Sequence, residues 1–385
     1  MPMLKSQRGF SLLELLVASS IGLGVVLMMT SLFKVGMDTT IKVTQRAETQ
    51  QNMRAAVQLM TKDISLAGGG LPSGGLQLGT AGLSKFACNQ TGTCYIAGGT
   101  YPNGGGGTPN YMYPIEPGFA VGVQNGAVIP AAPGQTNSSL TTVYCDYNFP
   151  LTNFKFTFPS STAANVAVLN GAIQPNNILA PGGLQVGDVL LFQVSVPGTG
   201  VAGDINGNSL VQTAAVAAEI TGIPNNTQLT FATGDALNLN FSSGSNNLST
   251  VAAAGGVANA KMNVCRLQIV SYFLQVPPAG GTVQQPRLMR QVNGLNAVPV
   301  ADGIINLQFT YDVIDSVNDT VVANQPNPIG AGESPSLIQK VNVWIMGSSL
   351  TTSGNRSQSM YLATSVSTRD MSFCNSYSSS STVCQ

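Results

Sequence analysis

Apolar residues crowd the start of this chain. From Phe10 to Phe33 the one ionisable side chain is Glu14, within a run of Leu, Val, Ile, Met, Ala, Gly, Ser and Thr. A bilayer needs about 20 such residues in a helix, and this run meets that length. Beyond it the pattern becomes periodic: Met53, Val57, Met60 and Ile64 recur at spacings of four, three and four, the mark of one apolar helical face. Lys42, Arg46, Arg54 and Lys62 fall on other faces. No proline occurs between Met3 and Leu71, and Gly68-Gly69-Gly70 followed by Pro72 is a stop signal. These features predict one helix from Phe10 to Leu66, ~85 Å long at ~1.5 Å per residue. Residues 10–33 would lie in a membrane or filament core, and residues 34–67 would continue as an amphipathic helix bracing a globular domain. Gly22 and Gly24 would soften the helix or let a neighbouring helix approach.

After Leu71 the pattern changes. Residues 68–140 are rich in Gly, Pro, Thr and Asn, including Gly104-Gly105-Gly106-Gly107, which predicts loops and short strands. Apolar and β-branched runs then return at Val186 to Val196, Leu229 to Phe231, Cys265 to Val276, Ile304 to Tyr311 and Val341 to Met346. Asn225-Asn226, Gly280-Gly281 and Asn293-Gly294 mark turns. The expected fold class is α+β: one long helix packed on an antiparallel sheet, with residues 68–385 forming a β-rich domain with large loops. Trp344, inside an apolar alternating run, is expected in the core.

Composition narrows the chemistry. Lys plus Arg and Asp plus Glu are both 16, and only 8% of residues are charged, so a basic nucleic-acid surface is not expected. Histidine is absent, which removes Ser-His-Asp and Cys-His nucleophile systems and the common His-containing zinc sites. The six cysteines, Cys88, Cys94, Cys145, Cys265, Cys374 and Cys384, form no CxxC pair. In an exported chain they read as disulfides. Local pairs Cys88 with Cys94 and Cys374 with Cys384 would leave Cys145 with Cys265, one of 15 possible connectivities. Two Asx-rich clusters, Asp204-Ile205-Asn206-Gly207-Asn208 and Asp312, Asp315, Asn318 and Asp319, are the candidates for calcium. The first lacks the later bidentate glutamate of a calcium loop, and Asx turns account for both. No catalytic constellation and no cofactor are expected.

Lys5 and Arg8 precede the apolar run, which keeps the N-terminus cytoplasmic and sends the rest across. Three readings compete for this segment. A cleaved secretory signal would use Ala18-Ser19-Ser20 but has a short apolar core holding a glutamate. An ordinary anchor gives Glu14 no purpose at a cost of about 2.5–3.5 kcal/mol near mid-bilayer. The third is a type IV prepilin leader, which Gly9-Phe10-Ser11-Leu12-Leu13-Glu14-Leu15-Leu16-Val17-Ala18 resembles closely. That resemblance implies residues 1–9 as leader, cleavage between Gly9 and Phe10 by the prepilin peptidase, and methylation of the new Phe10 amine. Glu14 would then pair in low dielectric with the α-ammonium of a neighbouring subunit's Phe10 and set the register of assembly.

A second resemblance, to PilW-type minor pilins, rests on Met60 to Gly68, Val186 to Val194, Cys265 to Tyr272, Pro286 to Gln291, Gly303 to Tyr311, Lys340 to Ile345 and Tyr361 to Arg369. Residues 72–183 have little counterpart in it. It implies a structural subunit that primes filament assembly with other minor pilins near the tip. Its partners would be other pilins, the prepilin peptidase, the inner-membrane assembly platform and the lipid bilayer. Its location would be the inner membrane with a periplasmic domain, then the extracellular filament. A type II secretion pseudopilin shares the leader and helix, and an adhesin or ligand-binding module on a pilin stem is the reading from a different class.

Overall fold

In the computed structural model, residues 11–72, 75–78, 111–117, 139–146, 149, 155–159, 166–170, 183–203, 209–225, 227–241, 247–275, 286–315, 318, 320–325, 335–349 and 359–368 are described. Helix α1 (Leu12–Leu66) is continuous over 55 residues, as the proline-free stretch predicts. Ser11 caps its start, accepting a hydrogen bond from the Leu13 N–H at 3.2 Å. Its end is set by Gly68 and Gly70, whose φ values of 89° and 76° suit glycine. There the chain turns onto strand β4 (Leu140–Cys145): the Gly68 N–H donates to Val143 O and the Cys145 N–H to Gly69 O.

The rest is β-rich, so the α+β class holds, but the described residues form four antiparallel sheets where one was expected. β1 (Leu76–Gln77) and β2 (Tyr111–Met112) form a small pair. The largest sheet runs β13 (Val298–Asp302), β12 (Arg287–Val292), β11 (Lys261–Gln275), β4 and β3 (Ile115–Pro117). β7 (Val189–Gly203) adds to the first half of β11, and β8 (Ser209–Glu219) pairs with β7. A four-stranded sheet has the order β5 (Lys155–Thr157), β6 (Val166–Asn170), β10 (Gln228–Thr230), β9 (Gly222–Asn225). The last has the order β15 (Thr320–Gln325), β14 (Ile304–Asp315), β16 (Ile338–Ser348), β17 (Ser359–Ser367). A short helix α2 (Leu248–Gly255), absent from the sequence reading, is capped by Asn247, whose Oδ1 accepts from the Ser249 and Thr250 N–H groups.

Three cores follow from this layering. The first lies between α1, the largest sheet and the last sheet, and joins Met53, Met60 and Ile64 to Tyr272, Leu307, Val341 and Ile345. The second gathers Phe156, Phe192 and Phe231 under α2. The third, on the face of the largest sheet away from α1, holds Val143, Leu191, Leu237 and Ile269. Val292 and Leu295 close a turn whose central residues, Asn293 and Gly294, both have left-handed φ. Asn293 also accepts from the Ile269 N–H at 2.8 Å, fixing the turn to β11. Gly303, with φ 73°, carries the chain from β13 into the next sheet.

One expectation fails. Trp344 is only half-buried on β16, whose burial alternates with Val341, Val343, Ile345 and Gly347 inward. The strand period of two puts every even-numbered neighbour, Trp344 included, on the outer face. There it stacks against Tyr361, with ring centroids 6.5 Å apart and planes at 23°.

Candidate functional site

The first part of α1 stands clear of the head. Among the described residues none before Thr49 is buried, and Leu12, Leu16, Ile21, Leu27, Leu32 and Phe33 are all well exposed. Residues 12–48 therefore project as a bare rod ~55 Å long. This helix is long and apolar enough to cross a membrane. Such exposure in water would be prohibitive, at about 25 cal/mol per Å² of apolar surface, so lipid or neighbouring helices must cover it.

Glu14 lies on this rod, exposed, in the first helical turn. With Ser11 as N-cap it occupies the third helical position, so Ser11-Leu12-Leu13-Glu14 has the spacing of a capping box. A carboxylate there also favours the positive end of the helix dipole. The Ser-x-x-Glu spacing is legible in the sequence, and the cap bond itself runs from the Leu13 N–H to Ser11 Oγ. Gly9 and Phe10 lie outside the described residues.

At its other end α1 is clasped by the head. Asp63, 2% exposed, sits on the buried apolar stripe between Met60 and Ile64. Tyr144 on β4 donates its hydroxyl to Asp63 Oδ1 at 2.9 Å. Tyr272 on β11 donates to Oδ2 at 2.5 Å, and Arg290 Nε on β12 donates to the same oxygen at 2.9 Å. Three strands of one sheet thus converge on one helical carboxylate. Burial, then the Asp63 charge and bond, push both tyrosine hydroxyls well above their ordinary pKa, so they stay donors. Burial works against the Arg290 guanidinium, but its bond and charge contact with Asp63 outweigh that and hold its pKa up. The signal for this clasp was a single acid on an otherwise apolar helical face.

The helix also seats directly on backbone. Gly347 of β16 faces Met53 and Thr49, and a Cβ at that position would lie 2.7 Å from Met53 Sδ and 2.9 Å from Thr49 Cγ2. Only glycine lets α1 approach the strand so closely.

Cys145 and Cys265 form a disulfide between β4 and β11, the pair left over in the sequence argument. Beside it Arg266 bonds Asp146 at 2.5 Å and stacks 4.4 Å from the Phe149 ring centroid. Cys88, Cys94, Cys374 and Cys384 lie outside the described residues, as do Asp204, Asn206, Asn208 and Asp319. Among the described members of the second calcium candidate, Asp315 accepts from Asn318, and Asp312 accepts from the Asn324 N–H, Asn342 and Lys340. Their oxygens serve turns and strand pairing. Among the described residues no group of three or more His, Cys, Asp or Glu is placed to hold a metal.

Comparison with known proteins bears on the rod alone. Neither the curated proteins nor the solved structures gave a match. Residues 4–30 match the family model described as the prokaryotic N-terminal methylation motif. That motif, leading into one long helix able to span a membrane, indicates a type IV pilin-like or pseudopilin-like protein.

Proposed function

We propose that this chain is a minor pilin of a type IV pilus, resembling the PilW type, with a structural role in starting and building the filament near its tip. The observation that carries the reading is the match over residues 4–30 coinciding with an exposed apolar rod on a firmly clasped head. In this reading prepilin peptidase cuts after Gly9 and methylates Phe10, and the subunit waits in the inner membrane with its head in the periplasm. Assembly moves the rod from lipid into a bundle of like helices. Glu14 then finds the α-ammonium of a neighbour's Phe10, and the pair fixes axial register because an unpaired charge in hydrocarbon is strongly disfavoured. The Cys145–Cys265 disulfide suits an oxidising compartment. Partners are other pilins and the inner-membrane assembly platform.

The test is mass spectrometry of the mature protein together with identification of co-purifying pilins. An N-methylated Phe10 terminus with minor pilins attached supports the reading. A terminus at Ser20, or an exported chain retaining Met1, overturns it. Deletion that abolishes surface pili with secretion intact separates the pilus from a type II secretion pseudopilin.

A further inference from the structure

The outer face of the last sheet carries a patch that assembly through α1 does not use. The chain has one tryptophan, and the fold places it on this face instead of in a core. Tyr361, 75% exposed, lies against it at the near-parallel angle of 23°. Strand register puts polar groups toward β14 and along β16. Trp344 stands opposite Gln308 on β14 and Ala363 on β17, and Asn342 stands opposite Thr310 and Ser365. Met346, opposite Tyr361, completes the apolar part. Among the described residues of this face, the cation Lys340 and the anion Asp312 neutralise each other at 3.3 Å.

We propose that this face binds a neutral glycan, with Trp344 and Tyr361 as the platform for hexopyranose rings. A pyranose presents a C–H face that packs on an aromatic ring, and a rim of hydroxyls that exchange hydrogen bonds with amides and hydroxyls. Two adjacent rings of similar tilt, with the Gln308 amide beside Trp344, match that layout, while Thr310 and Asn342, whose donors bond Asn324 and Asp312, offer their remaining acceptor capacity. Charge balance favours a neutral occupant: among the described residues of this face the one cation, Lys340, is already paired with Asp312. An open sheet face suits an extended chain better than an enclosed small molecule.

Trp344 is its own reporter, because all tryptophan emission comes from it. Full-length protein in a sugar-free polyoxyethylene detergent is titrated with cellohexaose, maltohexaose, laminarihexaose, mannohexaose and the acidic hyaluronan hexasaccharide. The expected result is a saturable change in emission with at least one neutral hexasaccharide, and binding about tenfold weaker or worse in Tyr361→Ala. Tyr361 is too exposed for that variant to unfold the sheet, and far-UV circular dichroism checks this. No saturable change with any neutral sugar overturns the proposal. So does a response to hyaluronan alone, an unchanged titration in Tyr361→Ala, or a response only to an added pilin subunit.

Discussion

Tyr272 donates its hydroxyl to Asp63 at 2.5 Å across 209 residues of sequence. The bond joins the last turns of the anchor helix to the middle strand of the largest sheet. With Tyr144 and Arg290 it ties three strands of the head to one carboxylate of α1.

Asp63→Ala should therefore destabilise the head strongly, by about 3–5 kcal/mol, because it strands the Arg290 charge half-buried beside two tyrosine hydroxyls. The double variant Asp63→Ala/Arg290→Met should lose less than the sum of the single changes. Denaturant melts of the four proteins of this cycle measure both. Strict additivity would show that the clasp does not act as a unit.

Gly347→Val should loosen α1 from β16. Its side chain would overlap Met53 and Thr49, and overpacking of this kind costs about 1–3 kcal/mol. Met53→Ala, harmful by itself, should partly rescue Gly347→Val by opening space. Amide hydrogen exchange across residues 49–66 reads the outcome; wild-type protection in Gly347→Val would contradict the close seating.

Stability should fall with rising pH because of Glu116. This side chain is buried on β3 with one oxygen accepting from the Tyr113 N–H and the other, Oε2, without a hydrogen-bond partner. Burial pushes its pKa from 4.5 up to about 8, only partly opposed by the Tyr113 bond. Between those values the unfolded chain has lost the proton and the folded chain keeps it. Stability therefore drops by about 1.4 kcal/mol per pH unit through that window and levels off above it. Glu116→Gln keeps an acceptor for Tyr113 and should flatten the slope. Melts from pH 5 to 9 decide it.

At Glu14 the two available roles separate by substitution. Glutamine also serves a capping box, so Glu14→Gln keeps the helix start and loses the charge. If the charge sets register, Glu14→Gln should assemble as poorly as Glu14→Ala. If capping is the role, Glu14→Gln should assemble like wild type. Counting surface filaments distinguishes them, with membrane levels of the subunit as the control.

Reducing the Cys145–Cys265 bond, or changing both residues to serine, should cost about 4–5 kcal/mol in the loop-closure picture, since it spans 120 residues. A melt with and without reductant checks the size, and the reduced chain should still fold at low temperature.

Much of the architecture was legible along the chain. The helix expected from Phe10 to Leu66 and observed from Leu12 to Leu66 followed from apolar run, spacing and the absence of proline, and its end from Gly68 and Gly70. The main strands followed from β-branched alternation. The clasp was not legible, because Tyr144, Tyr272 and Arg290 come from three strands far apart in sequence. Trp344 was misplaced because hydrophobicity alone ranks it as core, while strand parity decides which face it occupies.

The sequence by itself settled what is local: where the helix stops, where it is greasy enough for lipid, and which short segments extend. These depend on residues a few positions apart. Tertiary structure alone decided that Asp63 meets three donors, that Gly347 touches Met53, and that Trp344 faces outward beside Tyr361. Such contacts depend on strand register and sheet order, where a slip of one residue turns every side chain to the opposite face.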